Sequence, residues 1–149
     1  MFQINYSFSN YNSLDTTRID DVSLRYNLFL GSLVLKEENN SISMNWNWIP
    51  LIDFASCVFV IYNNLIVKNN AKEKFEFTES EAEIIFSRNE NIIKITTSFS
   101  NDVLEISLAD FQYAVTKFYK NVVFDILEIN PTLRDNAVFC RYMNEADKM

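Results

Sequence analysis

Apolar and polar residues alternate from the start of the chain. Phe2, Ile4, Tyr6 and Phe8 share one parity, with Gln3, Asn5 and Ser7 between them. A period of two predicts a half-buried strand. Residues 9–17 are rich in Ser, Asn and Thr and read as a loop. Alternation returns at Val22, Leu24, Tyr26, Leu28 and Leu30 and runs on into Leu33-Val34-Leu35. A second strand is expected there, with Gly31 marking a bulge or a close backbone approach. Glu37-Glu38-Asn39-Asn40 reads as a turn. After it, Ile42, Met44, Trp46 and Trp48 alternate with Ser43, Asn45 and Asn47, which completes a long hairpin.

The period then changes. Leu51, Phe54, Ala55, Val58, Ile61, Tyr62 and Leu65 recur at spacings of three and four. They predict a helix over residues 50–68, with Pro50 at its first position. Ile52, Phe59, Val60 and Ile66 make its other faces apolar too, so it is expected to be covered on most sides. Four short strands should follow as an antiparallel meander: Phe75-Glu76-Phe77 and residues 82–87, 92–99 and 103–108. Thr78-Glu79-Ser80-Glu81 also fits a helix capping box. Ile84-Ile85-Phe86 runs straight into another turn, which favours strand. Ser107-Leu108-Ala109-Asp110 opens a second helix, striped by Phe111, Ala114, Val115, Phe118, Val122 and Ile126, with Phe124 also in the core. Asn130-Pro131 stops it and starts a third, with Asn130 as cap and Leu133, Ala137, Cys140 and Met143 inside. The order βββ-α-ββββ-αα predicts one α+β domain over residues 1–149. Its mostly antiparallel sheet has six or seven strands, with one central helix and two C-terminal helices.

Composition narrows the chemistry. Histidine is absent from the 149 residues and glycine occurs once. Without imidazole there is no ordinary Ser-His or Cys-His nucleophile and no His-based metal site. With one glycine there is no Gly-rich phosphate loop. No catalytic residue, cofactor or metal is assigned. Apolar residues make up 48% of the chain and aromatic residues 15%, ample for a packed core. The formal charge of −7 disfavours nucleic acid and anionic lipid and favours a basic partner. Cys57 and Cys140 sit in apolar segments and are expected as buried, reduced thiols of a cytoplasmic protein. No leader peptide is expected, because the first residues alternate and lack a basic stretch. Residues 48–67 are apolar, but Asp53 and Asn63-Asn64 interrupt them, so a buried helix is favoured over a membrane span. Heavy use of Asn, Ile and Lys points to an AT-rich, bacterial coding sequence.

Carboxylates crowd one region, where Glu76, Glu79, Glu81 and Glu83 are candidate partner-binding residues. Glu81 and Glu83 share a strand face, and Glu79 extends the row through the turn. Such charge either speeds encounter with a basic partner or guards a hairpin against edge pairing. Asp15, Asp20 and Asp21 form a second acidic group. Trp46 and Trp48 are expected in the core, which turns Asn45 and Asn47 outward as candidate polar contacts. Asp53 reads as a first-turn residue favoured by the helix dipole.

The chain's size, its acidic balance and its carboxylate-rich stretch at residues 75–83 resemble the small acidic immunity proteins of bacterial polymorphic-toxin and contact-dependent inhibition systems. The resemblance implies a cytoplasmic protein that plugs the active site of a cationic toxin domain, often a nuclease. It transfers no site residue, because those proteins share no signature. Alternatives are an adaptor or homo-oligomeric assembly protein, and an enzyme working with carboxylates alone. A monomer or a homodimer fits either binding role.

Overall fold

The computed structural model describes residues 1–9 and 18–149. Among them are seven strands and three α-helices in the predicted order. Strands β1 (Phe2–Phe8), β2 (Leu30–Glu37) and β3 (Asn40–Pro50) form one sheet in the order β1-β2-β3. Helix α1 (Leu51–Leu65) leads to β4 (Asn70–Glu76), β5 (Glu83–Asn89), β6 (Ile92–Thr97) and β7 (Leu104–Ser107). These four make a second sheet, a plain meander β4-β5-β6-β7. Helices α2 (Leu108–Ile129) and α3 (Ala137–Lys148) follow. Every strand pairing is antiparallel. The fold is α+β as predicted, with the strands divided between two sheets.

The sheets share one core. Phe111 of α2 lies 6.3 Å from Phe2 of the first sheet and 5.6 Å from Phe86 of the second. Phe54 of α1 reaches Phe75 on β4 at 5.0 Å and Phe118 on α2 at 5.8 Å. The helix periodicity accounts for this: Leu51, Phe54, Val58, Ile61 and Leu65 are all buried, as is the α2 stripe from Phe111 to Ile126. Ser107 caps α2, its hydroxyl accepting the Asp110 N–H at 3.0 Å.

Four expectations give way. The alternation at residues 22–28 does not make a strand. Asp20 accepts the Ser23 N–H at 2.9 Å, and Ser23–Leu28 winds into a wide, π-type helical turn. Local capping outweighs the alternation, leaving Val22 and Tyr26 exposed and Leu24 buried. Asn130 does not open the third helix. Pro131–Asp135 is a 3₁₀ turn, and Asn136 caps α3 by accepting the Phe139 N–H at 2.9 Å. The restart changes the helix phase, so Phe139, Tyr142 and Ala146 are buried while Ala137 is exposed. Phe124 is 43% exposed, on the outer side of α2. Finally, β4 begins at Asn70, five residues before the expected Phe75-Glu76-Phe77 strand.

Gly31 serves the close approach its isolation implied. A Cβ there would lie 2.0 Å from the Ser7 carbonyl oxygen and 2.8 Å from Leu51 Cδ1. The β2–β3 register shifts between Gly31 and Leu33, which bulges β3.

Two hairpins turn on a glutamate with positive φ: Glu38 at 50° and Glu90 at 54°. Glycine suits that region far better than a residue with a Cβ. Glu90 contributes its backbone to the turn: its N–H donates to Asn69 O at 2.8 Å and its carbonyl accepts from Arg88 Nε. Glu90→Gly should therefore stabilise the fold by about 0.5–1 kcal/mol. Urea denaturation would show the midpoint rising. A falling midpoint would mean that the glutamate side chain stabilises the turn.

Candidate functional site

The acidic hairpin divides in two. Glu76 and Glu83 stand directly opposite each other across β4 and β5. Lys74 resolves their repulsion, its Nζ 2.8 Å from Glu76 Oε1 and 3.4 Å from Glu83 Oε2. Those hydrogen bonds and charges, Glu76 first, hold the Lys74 ammonium above its ordinary value. Beyond the strand ends the chain turns, closed by Phe77 N–H donating to Ala82 O at 3.1 Å. Glu79 and Glu81 are exposed at this tip and make no ion pair with any described residue.

An aromatic cluster holds the tip. Phe77 is buried, 5.1 Å from the Trp46 ring and 5.8 Å from that of Trp48. Trp46 and Trp48 stack at 5.2 Å, nearly parallel, and Phe99 meets Trp46 edge-on at 4.8 Å. Both tryptophans lie on the inward parity of β3 yet are half-buried rather than enclosed. Beside them opens a cleft of about 510 Å³, lined by Tyr26, Asn27, Leu30, Trp48, Glu79 and Ser80. A cleft lined by both a glutamate and aromatic rings suits a lysine or arginine side chain, which can gain from the charge and from the ring quadrupole. The Arg25 guanidinium already lies over the Tyr26 ring at 5.7 Å.

No known family model, curated protein or solved structure matches the chain. Function is therefore read from chemistry alone.

Of the other candidates, Asn45 is exposed on β3. Asn47 is committed to the bulge. It takes φ 64°, its N–H donates to Ser32 Oγ at 3.1 Å, and its carbonyl accepts from Ser9 Oγ at 2.6 Å. Asp20 caps the Ser23–Leu28 turn, and the Ser23 hydrogen bonds hold its carboxyl below the ordinary value. Asp21 accepts from the Tyr142 hydroxyl at 2.5 Å, tying that region to α3. Asp15 lies outside the described residues. The structure thus puts Glu79 in the lining of one cleft with Trp48 and Tyr26, and gives Asp20, Asp21 and Asn47 internal partners.

A second polar cluster escaped the sequence. Arg25 Nε donates to Asp53 Oδ1 at 2.7 Å, and Cys57 Sγ lies 3.5 Å from the same oxygen. Asp53 is only 5% exposed, so its ion pair replaces lost water. Burial alone would lower the Arg25 pKa, but Asp53 outweighs it and raises it. Burial, then Asp53, pushes the Cys57 thiol up, which keeps it protonated and a poor nucleophile. Cys57 and Cys140 are both free and half-buried. Among the described residues no group of three His, Cys, Asp or Glu side chains could hold a metal. No described helix is long and apolar enough to cross a membrane.

Four tyrosines are raised above their ordinary value. Burial acts first on each; the hydrogen bond to Asp125 adds to it at Tyr6 and that to Asp21 at Tyr142. Tyr119 is pushed up to about 12 by burial and then by Glu145. The folded chain thus holds these protons more tightly than the unfolded chain. Their contribution to stability is complete below the unfolded value of about 10 and is lost as pH rises above it. Phenolate absorbance followed with circular dichroism should show late titration coupled to unfolding. Titration of all seven tyrosines in one step near pH ~10 with the fold intact would contradict the assignment.

Proposed function

We propose that this chain is a non-catalytic protein-binding module that docks a basic partner at the β4–β5 tip. The observation that carries this reading is the cleft that Glu79 lines together with Trp48 and Tyr26. Glu79 and Glu81 steer a cationic surface in, and the half-buried Trp48 and exposed Tyr26 receive its side chain once water is displaced. The net charge of −7 adds long-range attraction. Within this class we read the chain as an immunity-type inhibitor that covers the active site of a cationic toxin domain in the cytoplasm. Its size and acidic hairpin support that choice over an adaptor.

The test uses charge reversal at the tip. Glu83 is half-buried and bridged by Lys74, so reversing it would disturb the hairpin as well as the surface. Glu79→Lys/Glu81→Lys leaves that bridge intact and should cost within about 0.5 kcal/mol of stability each. A charge-matched control, Glu128→Lys/Asp147→Lys, changes exposed positions on α2 and α3. Crosslinking in the native strain should capture a protein with a basic surface using the wild type and the control, but not the tip variant. Equal capture by a folded tip variant would overturn the reading.

A further inference from the structure

The first sheet ends on β1, and among the described residues no strand pairs with its outer edge. Ser9 N–H donates to Leu30 O at 3.0 Å, in step with the register that pairs Phe8 with Gly31. In an antiparallel pair such bonded positions alternate. Gln3, Asn5 and Ser7 therefore bond β2, while the N–H and C=O groups of Phe2, Ile4 and Tyr6 point away from it. No backbone bond among the described residues reaches those groups.

A cleft of about 450 Å³ runs along this edge, between β1 and α2. Residues 1–6 line it without a break, as a groove beside a strand edge requires; a groove over a sheet face would meet alternate residues only. The helix contributes Tyr113, Lys117, Asn121 and Asp125, four residues apart and therefore in one row. Asp125 accepts the Tyr6 hydroxyl, which ties β1 to α2 at one end of the cleft, two helical turns from Lys117. Lys117 is exposed and makes no ion pair with a described carboxylate; its Nζ rests 5.9 Å over the Tyr113 ring.

Proline and charge, two usual guards of a strand edge, are missing from β1. We propose that the β1 edge takes up an extended segment of a partner protein as a fourth strand, and that this segment carries a carboxylate side chain facing Lys117. Backbone pairing with Phe2, Ile4 and Tyr6 supplies the affinity, and the lysine selects the side chain. A second copy of this chain fits less well. Its β1 carries no acidic residue to answer Lys117. This surface is separate from the hairpin cleft, so either can fail without the other.

The probe is an end-blocked peptide, Thr-Val-Thr-Glu-Thr-Val-Thr, with a version carrying Lys in place of Glu. Amide hydrogen exchange reads the edge. In the free protein the Phe2, Ile4 and Tyr6 amides should exchange faster than those of Gln3, Asn5 and Ser7. The Glu peptide at about 1 mM should slow the first three selectively. Lys117→Glu, folded by circular dichroism, should weaken that peptide by at least about threefold and favour the Lys peptide instead. Slow exchange of Phe2, Ile4 and Tyr6 in the free protein would overturn the proposal, as would no protection by either peptide. Protection that grows with protein concentration alone would assign the edge to a second copy and overturn it equally. Protection indifferent to the Lys117 charge would remove the carboxylate from it.

Discussion

Phe54→Ala should lower stability by about 3–5 kcal/mol, more than any other truncation at the tip or along α1. Phe54 is fully buried, and it is the α1 residue at which three elements meet. Its ring lies 5.0 Å from Phe75, 6.5 Å from Phe77 and 5.8 Å from Phe118. Alanine would leave a cavity between α1, α2 and β4 that none of these rings can fill without leaving its own contacts. Phe77 also supports Trp46 and Trp48, so the aromatic wall of the cleft should loosen with it. Urea denaturation gives the stability change, and tryptophan emission reports the wall. A midpoint that scarcely moves would show that α1 is not central to the core.

Gly31→Ala should cost about 3 kcal/mol, from one added methyl group. Ordinarily such a change at a compatible site stabilises by about 0.4–1 kcal/mol, because the unfolded chain loses freedom. Here the new Cβ meets a backbone oxygen at 2.0 Å and the Leu51 side chain at 2.8 Å. Leu51 can shift a little; the Ser7 carbonyl belongs to β1 and can move only with the strand. The sign of the effect is therefore diagnostic. A gain in stability would mean that β1 is free to move away from β2 at this end.

Periodicity made most of the fold legible. Phe2 to Phe8, the α1 and α2 stripes and the meander all follow from which residues must be buried together. Failures came where a local polar group outweighed the pattern. Asp20 turned an alternating run into a helical turn, and Asn136, the residue directly after the Pro131–Asp135 turn, starts α3. Neither capping aspartate nor capping asparagine alters hydrophobic periodicity, so a reading built on periodicity passes over both.

The candidate site was legible only in part. Charge density in the sequence marked the hairpin, but not which carboxylates were free. That depended on Lys74, which occupies Glu76 and Glu83 and leaves Glu79 and Glu81 exposed. The alternation places Tyr26 on a strand, whereas the Ser23–Leu28 turn carries it into the cleft with Trp48. Arg25 and Asp53 are 28 residues apart, and nothing in their spacing marks them as a pair. Long-range ion pairs of this kind appear only once the chain is folded.

The most direct measurement is the association rate of the captured partner at two ionic strengths, for the wild type, the tip variant and the charge-matched control. Exposed carboxylates that steer a cationic surface act over roughly a Debye length, about 10 Å at 0.1 M salt. The wild-type rate should fall steeply as salt rises. Glu79→Lys/Glu81→Lys should associate more slowly at low salt and respond less to it, while Glu128→Lys/Asp147→Lys keeps most of the wild-type rate. If the folded tip variant matches the wild type at both ionic strengths, the β4–β5 tip is not the docking surface.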